Sequence, residues 1–262
     1  MIRSMYTAAT GMEAQQLYMD TISNNLANVN TTGFKRQKIE FQDLMYQMLR
    51  EPGVRNFEGS MASSGIDVGM GVKTGATQRI FETGSMNQTT NNMDLAIEGE
   101  GLFQIVMPDG SIAYTRDGSL KRSADGTVVT SAGFPLADQI TIPPDASEFL
   151  VASDGMVTVM LPGDNGSTEI GQIDLAKFVN PAGLKAIGGN LFVETEASGI
   201  PIVATPGTEN LGTIRAGFLE ASNVQIVEEM VNMISAQRAF EIVSKSIQAS
   251  EDMLQIANNL KR

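Results

Sequence analysis

The sequence predicts an α+β fold, in which long N- and C-terminal helices pair in coiled-coil fashion and an all-β domain and an extended connector are inserted between them. Three observations predict it. Apolar residues recur at alternating three- and four-residue spacing at both ends. Short β-prone runs punctuated by Asp-Gly pairs fill the middle. A Gly/Ser-rich stretch from Pro52 to Gly75 separates the first helix from the β region.

At the N-terminus the repeat runs Met5, Ala8, Met12, Gln15, Met19, Ile22, Leu26, Val29, with Gln15 the single polar member. That spacing gives a helix over residues 1–30 with one narrow apolar seam. The cluster Asn24, Asn25, Asn28 and Asn30 has poor helix propensity, so the helix should fail there and end before Gly33.

At the C-terminus Ser222 and Gln225 fit a capping box that opens a second helix. Its seam is Ile226, Met230, Met233, Gln237, Phe240, Ser244, Ile247, Glu251, Leu254, and neither Gly nor Pro interrupts residues 223–260. Residues 1–30 with 222–262 thus form one helical unit, which either folds back as a two-helix hairpin or finds its burial against other copies. Periodicity alone is consistent with both. Flexible Met side chains at Met5, Met12, Met19, Met230 and Met233 suit an interface that adapts to its neighbours.

Between the arms, residues 31–93 read as a connector, 94–204 as the β domain and 205–221 as a return connector. The best strand candidates are Leu95–Ile97, Leu102–Met107, Thr127–Thr130, Phe149–Ala152 and Met156–Leu161. Asp109-Gly110, Asp117-Gly118 and Asp125-Gly126 fall eight residues apart, and Asp154-Gly155 follows, as tight turns between short strands require.

Charge and residue types exclude several functions. The formal net charge of −12 is unsuited to binding nucleic acid. It is also uneven: residues 56–221 hold eight bases against twenty acids, while 1–30 and 222–262 each come to −1 and 31–55 to +2. Near-neutral ends with a self-repelling middle suit end-to-end packing of many copies with a soluble domain held outward. With no His and no Cys, the commonest general base, thiol nucleophiles and most zinc sites are absent. No catalytic residue, cofactor site or metal site is expected. Glu98 and Glu100 could share a strand face as an acid/base pair, but a solvated edge beside a Gly turn explains them better. The N-terminus has no secretory signal pattern, and no apolar run is long enough for a membrane span.

Four segments are more specific. ANVNTTGFKR (27–36), NNMDLAIEGEGLFQI (91–105), YTRDGSL (114–120) with TSAGF (130–134), and SNVQIVEEMVNMISAQRAFEIVSKSI (222–247) occur in order along nearly the whole chain. They resemble signatures of the bacterial flagellar rod and hook axial proteins. YQMLREPG (46–53), leading into the Gly/Ser-rich stretch, resembles the insertion of the distal-rod branch. The resemblance implies a helical homopolymer forming a straight, torque-carrying shaft around an export channel. Its inner tube would be packed by Met5, Met12, Met19, Ile22, Leu26, Val29, Ile226, Met230, Met233, Phe240, Ile247 and Leu254. Asn28, Gly33, Phe34 and Lys35 would shape the turn that leaves it, and the rod-type insertion 46–75, with Tyr46, Leu49, Pro52 and Gly53, would brace neighbouring subunits. The implied partners are further copies of the chain, proximal rod proteins, the hook protein, basal-body ring proteins and the flagellar type III export apparatus. The implied place is the basal-body rod crossing the periplasm, reached without a cleaved signal peptide. A proximal rod or hook subunit, or a secreted β-rich binding module, are the competing readings.

Overall fold

The computed structural model describes residues 2–51, 64–146, 148–162 and 167–259. Pro52 and Gly53, and with them part of the expected insertion, lie outside the described residues. Two compact units are present: residues 1–26, 37–78 and 225–262 form one, and 27–36 with 79–224 form the other.

The first unit contains both helices. Helix α1 spans Ile2–Ala27 and helix α2 spans Ile226–Asn259, about 39 and 51 Å at a rise of 1.5 Å per residue. Neither is apolar enough to cross a membrane. The second helix starts later than the capping box suggests. The Ser222 hydroxyl accepts a hydrogen bond from the Val224 amide at 3.3 Å, closing a local turn before the helix begins. Asn25 also departs from its expected role as a helix breaker. Buried within α1, its side chain gives and takes a 2.9 Å hydrogen bond with the Gln37 backbone, so it anchors the strand that follows.

That strand, Gln37–Asp43, pairs with Val72–Arg79, and Tyr46–Arg50 pairs antiparallel with Ile66–Gly69 as a hairpin. The Tyr18 and Phe41 rings meet edge to face at 6.1 Å, seating the first of these strands on α1.

The second unit is all-β. Its main sheet has six strands in the spatial order Lys185–Gly188, Leu191–Val193, Ile112–Thr115, Leu102–Val106, Leu175–Lys177, Ile202–Ala204. Because this sheet is covered on both faces, its central strand reads as a near-continuous buried run rather than an alternation. Phe103 and Ile105 enter a core with Leu95, Ile97, Leu120, Leu136, Val157, Ile173 and Ile214. Leu102 and Tyr114 face the other way, onto Ala176, Phe178 and Phe192. Each large apolar side chain buried in this way contributes roughly 1.5–3 kcal/mol.

The expected strands are found with no end shifted by more than one residue: Leu95–Glu98, Leu102–Val106, Val128–Thr130, Glu148–Val151 and Met156–Met160. The unit is wider than residues 94–204. Residues 205–221 hold two strands rather than a connector: Thr213–Ala216 pairs with Leu95–Glu98, and Phe218–Glu220 with Met86–Gln88. These pairings are long-range, and no short-range pattern announces them.

Three of the four Asp-Gly pairs turn hairpins, with Gly110, Gly126 and Gly155 at φ of 82 to 84°. Asp117-Gly118 has another use. The Gly118 carbonyl accepts from the Leu95 amide at 3.0 Å, and a Cβ on Gly118 would stand 1.6 Å from the Leu95 carbonyl oxygen. Gly118→Ala should therefore cost about 3 kcal/mol or more. Gly110→Ala, with open space around it, should cost only the ~1–2 kcal/mol of its left-handed backbone. Urea unfolding of the two variants measures the gap, and equal losses would refute the close-approach account.

Candidate functional site

Within the second unit, three charged side chains distant in sequence meet in the interior. Lys35 follows the turn after α1, Arg116 ends the strand Ile112–Thr115, and Glu220 ends the strand Phe218–Glu220. They are 1, 3 and 2% exposed. Glu220 Oε1 accepts from Lys35 Nζ at 2.6 Å and from the Gly84 amide at 2.8 Å, while Oε2 accepts from Arg116 Nε at 2.5 Å. Lys35 Nζ also donates to the Glu82 carbonyl at 2.6 Å. The rest of the Arg116 guanidinium donates to the carbonyls of Ile97, Gly99 and Gly101.

This knot ties the segments 31–36, 79–85 and 216–224 to one another and to the loop 97–101. Backbone bonds reinforce it: the Gly33 amide donates to the Glu220 carbonyl at 2.9 Å and the Ala221 amide to the Ser85 carbonyl at 2.8 Å. Asn223 adds a clamp, accepting from the Arg36 amide at 2.8 Å and donating to the Ile80 carbonyl at 2.9 Å. Gly33 has φ +66°, and a Cβ there would lie 2.7 Å from the Arg116–Asp117 backbone. Only glycine lets the chain pass this close. Phe34 is buried beside it, and Asn28 opens the turn by accepting from the Thr31 amide and hydroxyl.

The electrostatics follow from burial and pairing. For Lys35, burial and then the neighbouring Arg116 work against its charge while Glu220 supports it, and the net effect is a pKa below the usual lysine value. For Glu220, burial alone would raise the carboxyl, but Arg116 and Lys35 together outweigh it and hold the pKa below the usual glutamate value. The knot also floors a groove of about 550 Å³ lined by Phe81, Leu102, Phe178 and Lys177 among others. Lys35, Arg116 and Lys177 are matched there by Glu220, Glu82 and Glu100, so the groove has no charge excess with which to select an ion.

Glu98 and Glu100 are not an acid/base pair. Each is tied to its own surface cation, Arg215 at 2.8 Å and Lys177 at 2.6 Å. No cluster of three or more metal-ligating side chains occurs among the described residues.

The better-buried side chains of α2 include Glu229, Met233, Ala236, Phe240, Val243, Ser244, Ile247, Ser250 and Leu254. Met233, Phe240, Ser244, Ile247 and Leu254 belong to the expected seam, whereas Gln237 and Glu251 are exposed and Ala236 and Ser250 are buried beside them. Small residues allow close approach: a Cβ on Gly11 of α1 would touch Val243 at 3.9 Å. On α1, Ile22 is buried, while Met5, Met12, Met19 and Leu26 are partly exposed, as is Val29 beyond its end.

Ile226 and Met230, expected as packing residues, face solvent at 47 and 52% exposure. With them stand Val227, Val231, Ile234 and Ile242, a second apolar stripe on the far side of α2. The hairpin is also apolar and uncovered: Met45 is 86% exposed, and Tyr46, Met48, Leu49 and Ile66 are exposed with it. Neither Arg116 nor Glu220 was singled out by sequence. The available signal was a charge set among apolar residues, in AYTRD and GFLEAS.

Because stability linked to a depressed carboxyl is present above its ordinary pKa of 4.5 and is lost as pH falls through the folded value, acid should open the knot. Glu220→Gln leaves two buried cations without their anion. It should cost about 3–5 kcal/mol at pH 7 and flatten the stability loss below pH 4.5, both measurable by urea unfolding.

Comparison with known proteins adds three family matches. Residues 5–35 match the flagella basal body rod protein family, 96–159 the D1 domain of the flagellar hook protein FlgE/F/G family, and 215–260 the C-terminal region of the flagellar basal body rod FlgEFG proteins. Lys35, Arg116 and Glu220 come one from each matched segment. The flagellar basal-body rod protein FlgG of Borreliella burgdorferi is 51% identical over the full length of both chains. That of Caulobacter vibrioides is 44% identical over 99% of this chain and all of its own. That of Bacillus subtilis is 38% identical over the full length of both.

Proposed function

Because this chain belongs to the FlgG family of flagellar basal-body rod proteins, we propose that its solvent-facing helical stripe and its apolar hairpin are the surfaces that join it to further copies of itself. It is a structural subunit of the flagellar distal rod and not an enzyme. It assembles into the axial structure of the flagellum with other flagellar proteins, in the basal-body rod.

The observation that carries the reading is the second stripe of α2. Val227, Met230, Val231, Ile234 and Ile242 are all at least half exposed, on a helix that already buries its opposite face. A soluble monomer gains nothing from five such side chains in water, whereas a neighbouring helix would remove them from it. The near-neutral charge of residues 222–262 permits that approach, and the −12 of residues 56–221 disfavours packing β units face to face. The inner tube would then be built from the helices and the outer surface from the β units.

The hairpin Tyr46–Arg50 with Ile66–Gly69 is the bracing element in this reading, its Met48 and Leu49 set against an adjacent subunit. The knot serves torque. A rod subunit transmits load along its own chain, and Glu220 clamps both segments through which the chain enters and leaves the β unit. The proposed neighbours are proximal rod proteins, the hook protein and the ring proteins, with delivery through the flagellar type III export apparatus.

Purified chain should polymerise into straight filaments visible by electron microscopy. Met230→Ser with Ile234→Ser should leave the circular dichroism spectrum unchanged and abolish filaments, since both side chains are exposed in the single subunit. Met48→Ser with Leu49→Ser should still polymerise but give curved or shorter filaments. Unaltered filaments from the first variant would remove the stripe from the interface, and straight full-length filaments from the second would remove the bracing role.

A further inference from the structure

Two carboxylates in the β unit have no part in the knot or the assembly surfaces. Asp138 lies in the turn Leu136–Gln139, closed by the Gln139 amide donating to the Leu136 carbonyl at 3.1 Å, with Gln139 in the left-handed region at φ +46°. Asp174 lies between the buried residues Ile173 and Leu175, where the chain enters the main sheet. The Asp174 amide donates to Asp138 Oδ2 at 3.2 Å. Asp174 Oδ1 is buried, and no donor among the described residues reaches it.

The Asp174 amide thus serves the Asp138 carboxyl, while the buried Oδ1 of Asp174 is left without a donor among the described residues. With both carboxyls ionised, their charges repel and one oxygen stays unpaired, which is the situation that favours retaining a proton. Burial pushes Asp138 up to about 6; the Asp174 amide opposes this, and the Asp174 charge adds to it. Asp174 is the charged group that faces Asp138. A proton on Asp138 removes one of the two charges.

We propose that Asp138, facing the Asp174 carboxylate across the bond from the Asp174 amide, holds a proton that stiffens the β unit as its surroundings turn mildly acidic. A carboxyl whose folded pKa lies above its ordinary 3.8 binds its proton more tightly in the folded state. Its contribution is complete below the ordinary value and is lost as pH rises through the folded one. The pair and the knot thus respond to acid in opposite directions and in different ranges. Glu220 begins to fail below 4.5, whereas Asp138 gains between 7.5 and 5. The chain has no histidine to titrate in that window. The inference is independent of how subunits assemble, because both residues lie within one unit.

The test is scanning calorimetry of the full chain in its unpolymerised form at pH 5.0, 6.0 and 7.5, on the wild type, Asp138→Asn and Asp174→Asn. The wild-type β unit should melt about 3–6 °C higher at pH 5.0 than at 7.5, after allowance for partial exposure of Asp138. Asp138→Asn, with a permanent donor and no charge, should lose that slope and match or exceed the wild type at pH 7.5. Asp174→Asn should reduce the slope as well, since it removes the repelling charge. A wild type with no slope, or an Asp138→Asn variant that keeps it, overturns the proposal. So does a rise in the wild-type transition with millimolar calcium chloride at pH 7.5 that Asp138→Asn abolishes, which would make the pair a cation site instead.

Discussion

Glu220 presents one buried carboxylate to two buried cations and a backbone amide, and much else in the β unit is arranged around it. Lys35 lies 185 residues away in sequence and Arg116 lies 104 residues away. An unpaired charge at this depth would cost several kcal/mol, so each partner stabilises the fold chiefly by being present when the other two are. The geometry leaves little slack. Arg116 spends its remaining donors on the loop 97–101, and Gly33 passes the Arg116 backbone at a distance no side chain would tolerate. A clamp of this kind is slow to complete during folding, since its members come from the beginning, middle and end of the chain. Once complete, it resists being pulled apart from either end.

The same economy governs the helices. The apolar residues they bury fully are Ala14, Ile22 and Ala236, while Met233, Phe240, Ile247 and Leu254 are only partly covered. The larger apolar side chains of α2 are mostly on the outside. Helix α2 is apolar on two sides and covers only one of them within its own subunit. The strongly acidic central segments of two copies would repel one another, whereas the near-neutral ends would not.

Sequence reasoning read the local elements closely and misread how some residues are used. The strand candidates and the hairpins at Asp109-Gly110, Asp125-Gly126 and Asp154-Gly155 follow from propensity and turn chemistry, which act over a few residues. Asp117-Gly118 has the same local signature, yet its glycine is required for a close pass of the Leu95 carbonyl, a contact no dipeptide encodes. On α2 the repeat is equally silent about partners. Ile226 and Met230 obey the three-four repeat as well as Met233 does, and periodicity sums both stripes without saying which one the subunit buries.

Sequence alone determined the two terminal helices, a β region between them, an acidic middle with neutral ends, and a family likeness spread over nearly the whole chain. All of these are written in residues a few positions apart or in simple counts. Tertiary structure decided that residues 205–221 hold paired strands, that Lys35 in the turn after α1 is a buried ion-pair partner, and that Arg116 and Glu220 complete the knot. It also decided which face of α2 remains open. The physical reason is common to all of these: burial and charge pairing depend on what lies opposite in space, and the partner is set by the path of the whole chain rather than by its neighbours in sequence.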